Sequence, residues 1–208
     1  MGRTLRLVVM ASGRGSNFSA IADAIREGAL DAKIAALICD RPKAAVIDRA
    51  LTYGDIDIAV LTRKGFATRA DYDRALAELA AGYDPDIIAL AGFMRVLGPE
   101  FVGRFPGRVV NIHPALLPSF PGLDAQKQAL EYGVKVSGCT VHFVDEGTDT
   151  GPIILQEAVP VLEGDDEDSL SARILEKEHS LYIKALRLIG EGRVGIEGRK
   201  TRVDEKRE

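Results

Sequence analysis

Leu5-Arg6-Leu7-Val8-Val9-Met10-Ala11-Ser12-Gly13-Arg14-Gly15-Ser16-Asn17 decides the fold class. Its first seven residues are a continuous apolar run of strand length, as expected of a strand covered on both faces. A glycine turn follows, and Phe18, Ile21, Ala22 and Ile25 then recur at the i, i+3, i+4, i+7 period of an amphipathic helix. A buried strand, a glycine turn and a helix with Ser or Asn at its cap make an anion site. The free amides of the first helical turn and the positive end of the helix dipole both face the turn. A dinucleotide fingerprint would need a third glycine where Phe18 stands; a lone Gly-x-Gly usually means a structural turn, and in this context it favours a monophosphate over a dinucleotide.

Working outward, the alternation repeats. Residues 33–39, 58–61 and 87–91 read as strands, 44–53 as a helix, and 70–81 as a helix with Tyr72, Ala75, Leu76 and Leu79 on one face. Strands alternating with helices at this spacing mean a parallel sheet, with ligands expected at the strands' carboxyl ends. Ser12, Gly92 and Asn111 each end or follow such a strand. The carboxyl-terminal third differs, because residues 138–144 and 153–161 are joined by a loop too short for a parallel crossover and must pair antiparallel. The expected fold is α/β: a single-domain, Rossmann-like mixed sheet, parallel in its amino-terminal part and antiparallel at its carboxyl-terminal strands. Asp165, Asp166, Glu167 and Asp168 open a long helix with the charge its dipole prefers, and Leu170, Ile174, Leu181, Ala185 and Leu188 form its buried stripe. Residues 191–208 are charged and poor in apolar side chains, which predicts a loosely ordered tail.

With 208 residues, 46% of them hydrophobic, the chain can bury a full core as one domain. A net charge of -4 argues against a general nucleic-acid or anionic-membrane surface while leaving room for one local phosphate pocket. Cys39 and Cys139 are distant and in no Cys-x-x-Cys pair, so buried free thiols in a reducing cytoplasm are expected. His142 falls in an apolar strand and His179 in a helix, and the metalloprotease spacing is missing, so no metal is expected. The amino terminus runs into a strand without the apolar core of a signal peptide, and no apolar run approaches the ~20 residues of a membrane helix. These features predict a cytoplasmic protein that binds small molecules and neither nucleic acid nor membrane; they leave its oligomeric state open.

Val109-Val110-Asn111-Ile112-His113-Pro114 carries the chemistry. In strand geometry Asn111 and His113 point to one side, and Pro114 keeps His113 extended. An amide donor beside a titratable imidazole can stabilise an oxyanion and move a proton; taken alone, the pair is as easily two satisfied polar groups. Asp149 sits in the polar loop between the last two long strands. Such a loop is ordinarily just a turn, yet from a strand end its carboxylate can reach a neighbouring histidine and hold it charged.

Asn111-Ile112-His113-Pro114 with Leu116-Leu117-Pro118, then Thr140-Val141-His142-Phe143-Val144 and Asp149-Thr150-Gly151-Pro152-Ile153-Ile154, resemble the folate-dependent formyltransferase superfamily. Ser12 to Asn17 and Ala91-Gly92-Phe93-Met94-Arg95-Val96-Leu97 narrow the resemblance to the phosphoribosylglycinamide formyltransferases, the glycinamide ribonucleotide transformylases of purine synthesis. It spans about residues 5–190 and implies one formyltransferase domain over 1–190.

The implied reaction moves the formyl group of 10-formyltetrahydrofolate to the amino group of glycinamide ribonucleotide by direct attack through a tetrahedral intermediate. Asn111, His113 and Asp149 would be catalytic: Asn111 as oxyanion donor, His113 in its charged form as stabiliser and proton source, and Asp149 orienting it, with an ordered water as one route. The resemblance further implies the substrate phosphate on Gly15, Ser16 and Asn17, the ribose at Glu178, and the folate against Arg69, Met94, Arg95, Val96, Leu97 and Asn111. It also implies a cis bond between Leu117 and Pro118. Asp124-Ala125-Gln126 depart from the family, many of whose members carry histidine here. Formyltetrahydrofolate hydrolase and the other folate-dependent formyltransferases share the Asn, His, Asp set, but are expected to carry a further domain for which this chain has no room. A nucleotide-binding module without catalysis is the remaining alternative.

Overall fold

The computed structural model describes residues 4–204, whose internal contacts form two compact units, one ending at Val110 and the other beginning at Asn111. The chain is an α/β protein whose seven-stranded sheet is mixed.

The amino-terminal unit runs β1 (Leu5–Ala11), α1 (Ser16–Arg26), β2 (Ala32–Cys39), α2 (Ala45–Leu51), β3 (Asp57–Val60), α3 (Arg69–Ala81), β4 (Ile87–Leu90) and the short α4 (Pro99–Val102). The strands lie in the order β3-β2-β1-β4, all parallel, so the chain winds outward from β1 to one side and then crosses to the other. Leu7, Val8, Val9, Met10 and Ala11 are fully buried, as the unbroken apolar run requires of a central strand. Ser12 leaves the end of β1 and its N–H donates to the Gly92 carbonyl beyond β4 at 3.0 Å, which draws the two loops together at the strands' carboxyl ends.

Two details of this unit differ from the sequence expectation. The cap of α1 is Gly15 at φ 80°, with no side-chain cap bond, rather than Ser or Asn. On α3, capped by Thr68 and Asp71, the buried stripe is Tyr72, Asp73, Leu76, Ala77 and Ala80, so the stripe is rotated and includes a carboxylate.

The strand β5 (Val109–His113) crosses from one unit to the next. The carboxyl-terminal unit continues with α5 (Ala125–Tyr132), β6 (Val136–Phe143), β7 (Ile153–Pro160), α6 (Glu167–Gly190), β8 (Val194–Glu197) and β9 (Lys200–Val203). β6 and β7 pair antiparallel, with a register shift between Val141 and His142. The 24-residue α6 opens on a capping box of Asp166 and Ser169 and buries the predicted apolar stripe against β6 and β7. The Leu117-Pro118 bond is cis.

Where the sequence suggested a loose tail, residues 194–203 form an antiparallel hairpin beside β7. Its sparse apolar content hid a two-residue turn at Gly198, φ 62°, and its anchors are polar: the Thr201 hydroxyl donates to the Ile153 carbonyl, and Arg199 to that of Thr150. Residues 205–208 of that tail lie outside the described residues. Among the described residues no helix is long and apolar enough to cross a membrane.

Gly138 marks a close approach of β6 to β7, since a Cβ there would lie 2.1 Å from the Glu157 carbonyl oxygen. Gly138→Ala should therefore destabilise the fold by about 1–3 kcal/mol through overpacking. Gly195→Ala, with nothing within 4 Å of the added methyl, should change stability by less than about 0.5 kcal/mol. Urea unfolding of both variants measures the contrast; equal midpoints would contradict it.

Candidate active site

In the amino-terminal unit the glycine turn places the backbone of Gly15 against Val46, leaving 2.5 Å between a hypothetical Cβ and the Val46 side chain. A positive φ and this contact both require glycine. With no side-chain cap and no acidic residue in its first turn, α1 presents amide donors and a positive dipole end. Gly15, Ser16 and Asn17 thus stand where an anion is favoured.

The apolar loop after β4 is pinned. The Met94 N–H donates to Ser12 Oγ at 2.9 Å, the Arg69 guanidinium to the Val96 carbonyl at 2.7 Å, and the Gly98 N–H to the buried Asp73 carboxylate at 3.0 Å. Arg69 also lies 3.4 Å from Asp73. Arg69, expected to meet folate, thus holds the loop in place. Arg95 donates to Asp40 at 2.6 Å. Met94 and Val96 remain half exposed while Leu97 is buried.

The carboxyl-terminal unit gathers Asn111, His113 and Asp149, and adds a fourth member. His113 Nδ1 lies 3.3 Å from one Asp149 oxygen, a direct contact in place of a water bridge, and that oxygen also accepts the Gly122 N–H at 2.8 Å. The other Asp149 oxygen lies 3.6 Å from His142 Nε2, which is itself 3.3 Å from Asn111 Nδ2. Asn111 is thereby linked to His113 through His142 and Asp149.

Proton placement follows from the partners. A carbonyl only accepts, so His142 carries a proton on Nδ1, donated to the Phe143 carbonyl at 2.8 Å, and His113 carries one on Nε2, donated to the Phe120 carbonyl at 2.8 Å. With Nδ1 of His113 against a carboxylate, a second proton gives the imidazolium an acceptor at each end. His142 Nε2 can accept one N–H of Asn111, which leaves the other to donate elsewhere.

Burial dominates the electrostatics of His113 and lowers its pKa below the ordinary value; Asp149 and the Phe120 carbonyl raise it without cancelling that effect, and His142 lowers it further. Burial alone would raise Asp149. The contacts from His142 and the Gly122 N–H, together with His113, nevertheless hold its carboxyl below the usual range.

Local backbone strain assembles this cluster. Phe120 and Asp149 adopt φ of 55° and 53°, and Gly122 and Asp124 are left-handed as well. For Phe120 the conformation costs about 1–2 kcal/mol, and it aims the carbonyl at His113. The register shift beside His142 re-aims that side chain, a common use of bulges near sites. In sequence His142 is one more residue of an apolar strand; the available signal is that a histidine inside such a strand must find hydrogen-bond partners, and in the structure it is 1% exposed and has them.

Glu178 is 6% exposed on α6, which excludes a solvated charge. It faces Cys139, whose thiol is pushed up to about 12 first by burial and then by this carboxylate. Asp124 caps α5, and Gln128 ties that turn to the Pro121 and Leu123 carbonyls. Among the described residues no group of His, Cys, Asp and Glu could hold a metal ion.

Residues 5–186 match the formyl transferase family. The chain is 44% identical over 177 residues to the phosphoribosylglycinamide formyltransferase of Bacillus subtilis, covering 85% of this chain and 90% of that one. It is 50% identical over 192 residues to the trifunctional purine biosynthetic protein adenosine-3 of Drosophila melanogaster, covering 91% of this chain but only 14% of that far longer protein. The crystal structure of glycinamide ribonucleotide transformylase 1 from Symbiobacterium toebii superposes with a TM-score of 0.95 at 49% identity, covering 98% of this chain and 95% of that one.

Two predictions follow from the cluster. Asp149→Asn removes the charge that opposes burial, so the His113 pKa should fall further below its ordinary value and the alkaline limb of turnover should move to lower pH. NMR titration of the ring protons reads this directly, and an unmoved pKa in a folded variant would contradict the coupling. His142→Phe removes the acceptor that orients Asn111 and should lower kcat about tenfold or more with little change in KM, as loss of alignment does. His142→Gln, which restores an acceptor, should recover part of that loss in the same kinetics.

Proposed function

The chain belongs to the formyl transferase family, and we propose from this that it transfers the formyl group of 10-formyltetrahydrofolate to the amino group of glycinamide ribonucleotide in purine synthesis. The observation that carries the reading is the close polar cluster of Asn111, His142, Asp149 and His113.

The uncapped first turn of α1 at Gly15, Ser16 and Asn17 suits the ribonucleotide phosphate, and the buried Glu178 is assigned to the ribose hydroxyls. The pinned loop with half-exposed Met94 and Val96 fits a flat, partly apolar ring system such as a pterin, which assigns Met94 to Leu97 to folate recognition. Arg69 is assigned there as the residue that fixes the Val96 carbonyl.

The folate supplies an activated one-carbon group. As the amine adds to the formyl carbon, a carbon–nitrogen bond forms and the formyl oxygen turns negative; the second N–H of Asn111 donates to that oxygen. His113, protonated, stabilises the same charge and delivers a proton to the departing folate nitrogen as the old carbon–nitrogen bond breaks. Asp149 holds the imidazole and compensates its charge. The amine proton leaves to solvent or to the deprotonated imidazole. We assign the reaction to the cytoplasm, a compartment compatible with the two buried free thiols Cys39 and Cys139.

The test is turnover of purified protein with both substrates. Loss of formyl donor that depends on glycinamide ribonucleotide, with formylated product, is expected; donor loss without the ribonucleotide would make the chain a hydrolase instead. Asn111→Ala and His113→Ala should each lower kcat on the order of 10²-fold while moving KM far less. Wild-type rates in both variants would remove the catalytic assignment.

A further inference from the structure

The loop from Gly92 to Gly98 is tied down by backbone acceptors and donors at Gly92, Met94, Val96 and Gly98, and by one of its own side chains at Arg95. That side-chain tie is differently built. Asp40 directly follows β2, and its side chain is 2% exposed, whereas Arg95 remains 40% exposed. The guanidinium donates to one Asp40 oxygen at 2.6 Å and lies 5.5 Å over the ring of Tyr72. Tyr72 is itself immobilised, 1% exposed, with its hydroxyl donating to the Leu61 carbonyl at 3.0 Å and its ring edge-on to Phe66. The other Asp40 oxygen is buried without a hydrogen-bond partner among the described residues.

A buried carboxylate with one oxygen unsatisfied is costly, and a single guanidinium compensates it. The arrangement makes sense if the fixed position of Arg95 matters. Arg95 stands between Met94 and Val96, the two side chains of the loop that are half exposed, at 51% and 50%. With Arg95 drawn down onto Asp40 and Tyr72, its neighbours face outward. With Arg95 released, the loop would keep its backbone ties but gain a side chain free to cover Met94 and Val96, or to let them turn inward, as exposed apolar groups tend to do.

We propose, resting on the formyl-transfer reading above, that Asp40 is a positioning residue for the formyl donor. By holding Arg95 against Tyr72, it presents Met94 and Val96 as a preformed apolar edge for the pterin ring. The benefit is preorganisation: the ordering of the loop occurs during folding rather than during folate binding. The charge on Asp40 matters as well as its shape, because an amide in its place forms a weaker, uncharged bond to the guanidinium.

The experiment is Asp40→Asn, isosteric and uncharged, with kinetics against each substrate and calorimetric binding of tetrahydrofolate, the product. KM for the formyl donor and Kd for tetrahydrofolate should each rise about tenfold, with kcat and the ribonucleotide KM within about twofold of wild type, the pattern of lost positioning for one ligand. Arg95→Gln should show the same split, and the double variant should be no worse than the worse single one, because both act through one contact. If Asp40→Asn does not fold, Arg95→Lys carries the test, since it keeps a cation in the loop but loses the guanidinium seated between Asp40 and Tyr72, and the same rise in donor KM and tetrahydrofolate Kd is expected. Unchanged donor KM and tetrahydrofolate Kd, or equal weakening of both substrates, would overturn the proposal. A wild-type protein that neither binds tetrahydrofolate nor formylates the ribonucleotide would instead overturn the formyl-transfer reading itself.

Discussion

The Asp149 carboxylate is shared between two imidazoles and a backbone N–H, and the polar cluster of the carboxyl-terminal unit is arranged around that sharing. One oxygen faces His113 and Gly122, and the other faces His142. Desolvation alone would raise the Asp149 pKa, and these contacts outweigh it and hold the carboxyl below the usual range. Several features bear on this one group. Left-handed backbone at Asp149 turns the carboxylate inward, left-handed backbone at Gly122 belongs to the turn whose N–H meets it, and the shifted register of β6 delivers His142. The strain at Phe120 places the acceptor on the far side of His113, so the imidazole is fixed at both nitrogens.

The amino-terminal unit is built by other means. The anion site proposed for it is backbone, an uncapped helix start at a glycine that tolerates no side chain. Its apolar loop is held by the carboxylates of Asp40 and Asp73, each buried and each paired with an arginine. Charge in this unit orders the loop, and the surfaces left for ligands are amides and apolar side chains.

Much of this was legible in the sequence, for identifiable reasons. The run Leu5–Ala11 could only be a doubly covered strand, and the short connection between β6 and β7 could only join antiparallel neighbours. Asn111 and His113 fall two apart on one strand, and Asp149 lies in a loop at a strand end, from which a carboxylate can reach a histidine on a neighbouring strand. What escaped depends on three-dimensional partners that no local period reveals. No local pattern singles out Asp73 or Asp40, whose partners are a backbone amide and an arginine distant in sequence. His142 read as part of an apolar strand, because its polar partners come from β5 and from the Asp149 loop. The hairpin β8–β9 escaped because its ties to β7 are hydroxyl and guanidinium bonds to carbonyls, which leave no hydrophobic signature.

The depressed pKa of His113 suits a stabiliser of developing charge. In the resting protein, burial disfavours the imidazolium and the nearby carboxylate favours it, with burial prevailing. The desolvation that sets this balance also removes the water that would screen any new charge. In the proposed reaction the formyl oxygen turns negative beside the imidazole, and the added attraction would act in the same poorly screened surroundings and shift the balance toward the protonated ring at that moment. An interaction that is weak before reaction and strong during it is the kind that lowers a barrier, whereas a permanently charged lysine would bind the ground state almost as well. In that proposed reaction Asp149 would have a graded role, keeping the proton close enough to be available without making the imidazolium so stable that it cannot give the proton to the leaving nitrogen.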